Sequence, residues 1–219
     1  MSQKTIMTAE RAAQPFMKPM IFGACLIPFI VLAWQAATHH LGANPIDEIA
    51  DRTGIWTLRL LLITLAVTPA RQLTGWNRLI QLRRMLGLFA FFYGSLHFLT
   101  YIWLDQFFVV EDIVADVMDR PFITVGFTSF LLLIPLAVTS STAMIKRLGG
   151  KWWQRLHRLV YATAIGGVVH YLWLVKADTQ QPLIYGSILG ALFAYRLWSL
   201  YGHKVMVGFT MPRKAAVRR

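Results

Sequence analysis

LRRMLGLFAFFYGSLHFLTYIWL, Leu82–Leu104, is the stretch whose reading decides this chain. After Arg83 and Arg84 it is long and apolar enough to cross a bilayer as a helix, which takes about 20 residues. His97 lies inside it. An imidazole in hydrocarbon is costly without a partner, and ionisable residues at such depth point to function.

Working outward, comparable runs occupy 19–37, 55–70, 122–140, 159–176 and 183–201. With 85–104 they make six expected spans, an all-α transmembrane bundle. Backbone groups in lipid must be satisfied internally, which leaves helices as the natural form for runs this long. Of 219 residues 56% are hydrophobic and only 15% charged, which argues against a soluble protein. The net charge of +12 does not indicate nucleic acid, because the bases sit in short clusters between apolar runs. No internal repeat is apparent, and no linker separates soluble domains. Cys25 is the only cysteine, so neither an intrachain disulfide nor a C-x-x-C site exists. Lys4, Arg11 and Lys18 precede the first run as in a secretory signal, but the same pattern describes a retained first helix.

Loop charges alternate. Arg71, Arg78, Arg83 and Arg84 fill one loop; Lys146, Arg147, Lys151, Arg155 and Arg158 fill another. The intervening loops hold Asp47, Glu48, Asp51, Asp105, Glu111, Asp112, Asp116, Asp119 and Asp178. Excess Lys and Arg marks the cytoplasmic side. Both termini are then cytoplasmic, with tails at 1–18 and 202–219 around a membrane domain at 19–201. Trp34, Trp56, Trp103, Trp152, Trp153, Trp173 and Trp198 fall near span ends and read as an interfacial belt.

Spans three and five both rise from the cytoplasm. His97 lies about 18 Å along the first and His170 about 20 Å along the second, at 1.5 Å per residue. Haem accepts axial histidine, and one porphyrin between the two helices would satisfy both imidazoles. The plainer reading is two separate core histidines bonded to hydroxyls or carbonyls. His39, His40 and His203 read as interfacial or solvated.

His157 lies at the cytoplasmic end of span five. On a continuous helix it faces about 140° away from His170, so a second haem on that side requires a distortion, for which Gly166 and Gly167 offer a place. The matching position on span three is Arg83, a poor iron ligand but a good partner for carboxylates and phosphates. His157 could ligate a lower haem with an unusual partner, hold a quinone, a flavin or a propionate, or be merely interfacial. Arg59 reads as one turn inside span two, where it either snorkels or pairs with propionates of an outer haem.

TPAR at 68–71, LRRMLGL at 82–88, FFYGSLH at 91–97 and WWQRLHRLVY at 152–161, with His170 following, resemble the MsrQ (YedZ) family. These are haem-binding membrane subunits of bacterial methionine sulfoxide reductase systems, within the ferric reductase-like transmembrane group. The resemblance covers 15–201. It implies a six-helix inner-membrane cytochrome with haem b, and His97, His157 and His170 as its haem-associated histidines. It also implies electron delivery to a periplasmic molybdopterin partner, MsrP, for repair of oxidised proteins. Larger oxidases of the group carry two histidines on each of two helices, and this chain departs from them at Arg83. No G-x-G-x-x-G occurs, so electrons arrive from a separate flavin reductase or from quinol, and FMN is associated with the family. A stand-alone ferric or quinone reductase, and a non-redox transporter or anchor, are the competing functions.

The acidic loop 105–121 has Phe107, Val110, Val114 and Val117 at helical spacing, opposite Glu111, Asp112, Asp116 and Asp119. That pattern predicts a short helix in the interface plane, either a docking surface or a cap on the bundle.

Overall fold

A computed structural model describes the chain from Gln14 to Thr210, with side chains described from 17 to 200. The tail bases beyond these limits, and His203, lie outside the described residues. The described residues form helices joined by short turns and loops, with no strand.

The helices are α1 (Gln14–Ala37), α2 (Pro45–Thr74), α3 (Arg83–Leu99), α4 (Val110–Asp119), α5 (Pro121–Val138), α6 (Thr142–Leu148), α7 (Gly150–Leu156), α8 (Leu159–Leu174) and α9 (Gln180–Thr210). A 3₁₀ turn, Asn77–Leu82, leads into α3, and a π-helical turn, Thr100–Asp105, continues it. Five helical stretches are long and apolar enough to span a membrane: Met17–Ala37, Pro45–Thr74, Asn77–Asp105, Pro121–Val138 and Gln180–Leu200. The remaining expected span, the fifth at 159–176, corresponds to α8, whose 16 residues cover only about 24 Å.

Span two differs most from its expected bounds. It begins at Pro45, ten residues ahead of 55, because Asp47, Glu48, Asp51 and Arg52 lower its hydropathy without opposing a helix. Proline suits the first helical turn, acids suit the positive end of the helix dipole, and Glu48 pairs with Arg52 one turn on at 2.5 Å. Arg59 therefore stands midway along α2, not one turn inside it.

Two helix pairs make the core. α2 packs along α3, and α5 along α8. Leu58, Leu61, Leu65, Leu86, Ala90, Leu133, Val160 and Ala164 are buried where these helices meet. The pairs are copies of one another in part. LLLITLAVT at 60–68 in α2 and LLLIPLAVT at 131–139 in α5 agree at every position but one. Gly54 and Gly126 precede these segments, and His97 and His170 sit three residues after Gly94 and Gly167. An internal repeat is thus present, contrary to the expectation; its two halves differ in spacing by a residue or two, enough to hide it.

α1 and α9 lie at the periphery, and most of their surface faces outward. α1 is fastened by Tyr93 of α3. Its fully buried hydroxyl donates to the Cys25 carbonyl (2.7 Å) and accepts from the Phe29 N–H (3.1 Å), inserting into the backbone ladder next to Pro28. Trp34, Trp103, Trp152, Trp173 and Trp198 are exposed, as an interfacial belt requires. Trp56 and Trp153 turn inward instead.

Candidate metal centre

His97 and His170 meet. Their ring centroids are 6.0 Å apart, with the planes inclined at 76°. Two imidazole–metal bonds of about 2 Å each, plus about 1 Å from each nitrogen to its ring centre, place centroids about 6 Å apart across a shared ion. The observed separation is that distance.

Each ring is held in the same way. His97 Nδ1 donates to the Ala50 carbonyl of α2 at 2.9 Å, and His170 Nδ1 donates to the Phe122 carbonyl of α5 at 2.7 Å. With Nδ1 engaged by an acceptor, the proton belongs there, and Nε2 keeps a lone pair for a metal. Among the described residues, no three His, Cys, Asp or Glu side chains converge on a metal site. His97 and His170 are the imidazole donors at this cavity. Such a set suits an ion whose other ligands come with it, as in a porphyrin carrying four equatorial nitrogens. The cavity between the rings is apolar and lined by Gly94, Gly167, Phe98, Phe127, Phe130 and Leu58 among others. Gly94 and Gly167 stand about one turn before each histidine. The residues present fit a haem.

Arg59 is not among the residues lining this cavity. Its Nε donates to the Tyr185 hydroxyl at 2.8 Å, and its guanidinium lies 5.1 Å from the Trp56 ring centre. Asp51, Tyr101 and Tyr171 line the cavity instead.

His157 and Arg83 meet at a second cavity of about 490 Å³, which Arg84, Arg158, Tyr161 and Arg196 also line. His157 does not belong to α8. It caps α7, and the chain turns at His157–Arg158 before α8 starts. The distortion expected at Gly166–Gly167 is absent from α8 and lies at this turn. The Thr139 hydroxyl donates to the Pro135 carbonyl at 2.5 Å, so its oxygen accepts from His157 Nε2 at 3.0 Å. Trp153 stacks on the imidazole at 4.0 Å. His157 thus offers Nδ1, the opposite nitrogen from the other two. Burial, and after it the Arg83 guanidinium, hold its pKa below the ordinary imidazole value, so the ring is neutral.

Arg196 hydrogen-bonds the Tyr161 hydroxyl, and its buried Nε has no partner. No carboxylate lines this cavity among the described residues. Four arginines with no carboxylate partner among the described residues give the cavity the chemistry to hold an anion.

Sequence reasoning paired the two histidines that the fold brings together but not Gly54 and Gly126, on which they rest, nor Arg196 at the second cavity. The repeated LLLI-x-LAVT segment was the available signal for the glycines. Arg196 gave none, since its position near a span end reads equally as snorkelling.

The family described as "Ferric reductase like transmembrane component" matches residues 53–168. A protein of Herminiimonas arsenicoxydans is 56% identical over 183 residues, covering 83% of this chain and 84% of its own. One from Azospira oryzae is 55% identical over 181 residues (82% and 78%), and one from Rhodospirillum rubrum 53% over 177 (81% and 85%). Each bears the name "Protein-methionine-sulfoxide reductase heme-binding subunit MsrQ". The chain belongs to the ferric reductase-like transmembrane family and, within it, to the MsrQ heme-binding subunits.

Proposed function

We propose that this chain is a b-type haem membrane subunit that passes electrons from the cytoplasmic face to an MsrP-type molybdopterin methionine sulfoxide reductase in the periplasm, for repair of oxidised proteins. The paired docking of His97 and His170, at a metal-bridging separation, carries this reading. Haem bound there supplies one-electron cycling of iron. His97 and His170 present Nε2 to it, the Ala50 and Phe122 carbonyls fix both tautomers, and Phe98, Phe127 and Phe130 keep the site dry. In this reading α8 joins the five longer spans, giving six in the bacterial inner membrane with both termini cytoplasmic. The tails 1–18 and 202–219 flank a haem domain at 19–201. The basic cavity around His157, Arg83 and Arg196 is the place of electron entry, and it suits a second haem or FMN by supplying cations for propionates or a phosphate. A separate flavin reductase or quinol is the donor.

Purified protein should show a reducible b-type spectrum. A colourless preparation that cannot be reconstituted with haem would defeat the reading. Anaerobic stopped-flow with flavin reductase, then with quinol, identifies the donor.

His157→Ala should leave the outer haem spectrum intact and slow reduction from the cytoplasmic side. Unchanged kinetics would return His157 to a packing role against Trp153 and Thr139.

The expected short helix corresponds to α4; Val110 and Val114 on it, and Phe107 just ahead of it, are exposed, while Val117 is half-buried. Asp116 is committed elsewhere: it accepts from Gln106 Nε2 at 3.0 Å and pairs with Arg120 at 3.2 Å. Glu111 and Asp112 remain exposed. Neutralising these two should slow electron delivery to the partner and flatten its ionic-strength dependence, since charge complementarity acts mainly on encounter rate. An unaltered rate and salt response would leave α4 a cap on the bundle.

A further inference from the structure

Two imidazoles that face one ion must each be aimed, and here no side chain aims them. Each ring rests on a neighbouring helix at a glycine, four residues after the carbonyl that takes its Nδ1 proton: His97 on Ala50 and Gly54, His170 on Phe122 and Gly126. A β-carbon built at Gly126 would stand 2.6 Å from Nδ1 and 2.8 Å from Cε1 of His170. One built at Gly54 would stand 3.2 Å from the same two atoms of His97. Unstrained contacts between such atoms lie near about 3.5–4.0 Å, so only a bare stretch of helix lets either ring reach its carbonyl. The same arrangement occurs in both halves of the repeat, although the two glycines lie on different helices and the rings approach from different partners.

The geometry points to Gly54 and Gly126 as positioning residues for the two ligands, which set the Nδ1–H tautomer and the angle between the imidazole planes. The inference rests on the haem reading above. A carbonyl accepting the Nδ1 proton makes the imidazole a stronger donor and favours the oxidised metal. A methyl group at Gly126 displaces the ring from the Phe122 carbonyl, weakens that bond and reduces this preference. The displacement is larger at Gly126 than at Gly54, because the built carbon comes closer there.

The test is potentiometric titration and low-temperature EPR of haem-loaded Gly126→Ala and Gly54→Ala beside the parent protein. The expected result is retained haem, a midpoint potential shifted upward in both variants and more in Gly126→Ala, and an altered low-spin signal reporting a changed angle between the ligand planes. Loaded Gly126→Ala protein with the parent's potential and signal would overturn the proposal. Where Gly126→Ala fails to accumulate in the membrane, Gly54→Ala decides alone by the same two readouts. A parent protein that takes up no haem overturns the underlying reading instead, and is told apart by its missing spectrum.

Discussion

His97→Ala and His170→Ala are each expected to abolish the low-spin spectrum of the outer haem completely. His97 and His170 are the imidazoles that α3 and α8 bring together, and no group of three His, Cys, Asp or Glu side chains forms a metal site among the described residues. Loss of either leaves a five-coordinate or empty site, so the effect is all or none. Each variant is best compared at matched membrane insertion, by optical and EPR spectroscopy of the reduced and oxidised forms. Retention of a bis-histidine spectrum in either one would show that the rings meet without sharing a metal.

Gly166→Ala is expected to loosen the α5–α8 pair. A β-carbon there would lie 2.1 Å from the Ser129 hydroxyl, which donates to the Val125 carbonyl at 2.7 Å and is thereby held in place. Overpacking of this kind costs about 1–3 kcal/mol, against a helix-propensity gain of about 1 kcal/mol for replacing glycine by alanine. The clash wins only while the hydroxyl is present. Ser129→Ala removes it and leaves the Ser129 β-carbon at 3.4 Å, so the double variant should recover the loss. The readout is thermal or detergent unfolding of all four proteins as a double-mutant cycle. Gly166→Ala as stable as the parent, with no coupling to Ser129→Ala, would contradict this account of how the helices approach.

Much of the architecture was legible in the sequence because hydropathy is a strong signal in lipid. The depth match of His97 and His170 could be counted in residues, and the rings do meet. What counting could not give was the start of α2. Asp47, Glu48 and Arg52 look like loop residues by hydropathy, yet they stabilise a helix start by dipole and ion pairing. That placed Arg59 one turn inside the span rather than midway along α2, where its guanidinium lies against Tyr185 and Trp56. The angle between His157 and His170 was counted on one continuous helix, and the turn at His157–Arg158 breaks that count. The repeat was visible as LLLI-x-LAVT but required comparing halves whose spacing drifts.

Both acceptors that steady the ligand rings are main-chain oxygens, of Ala50 and Phe122. A codon change at either position alters the side chain and leaves the oxygen where it was. The hydrogen bonds to the two rings are therefore shielded from direct mutation and change only through neighbours that crowd the rings. Under the proposed haem reading, a lineage adjusting the site to a new donor would find tuning positions on the faces of α2 and α5 as well as among the charges around the cavity.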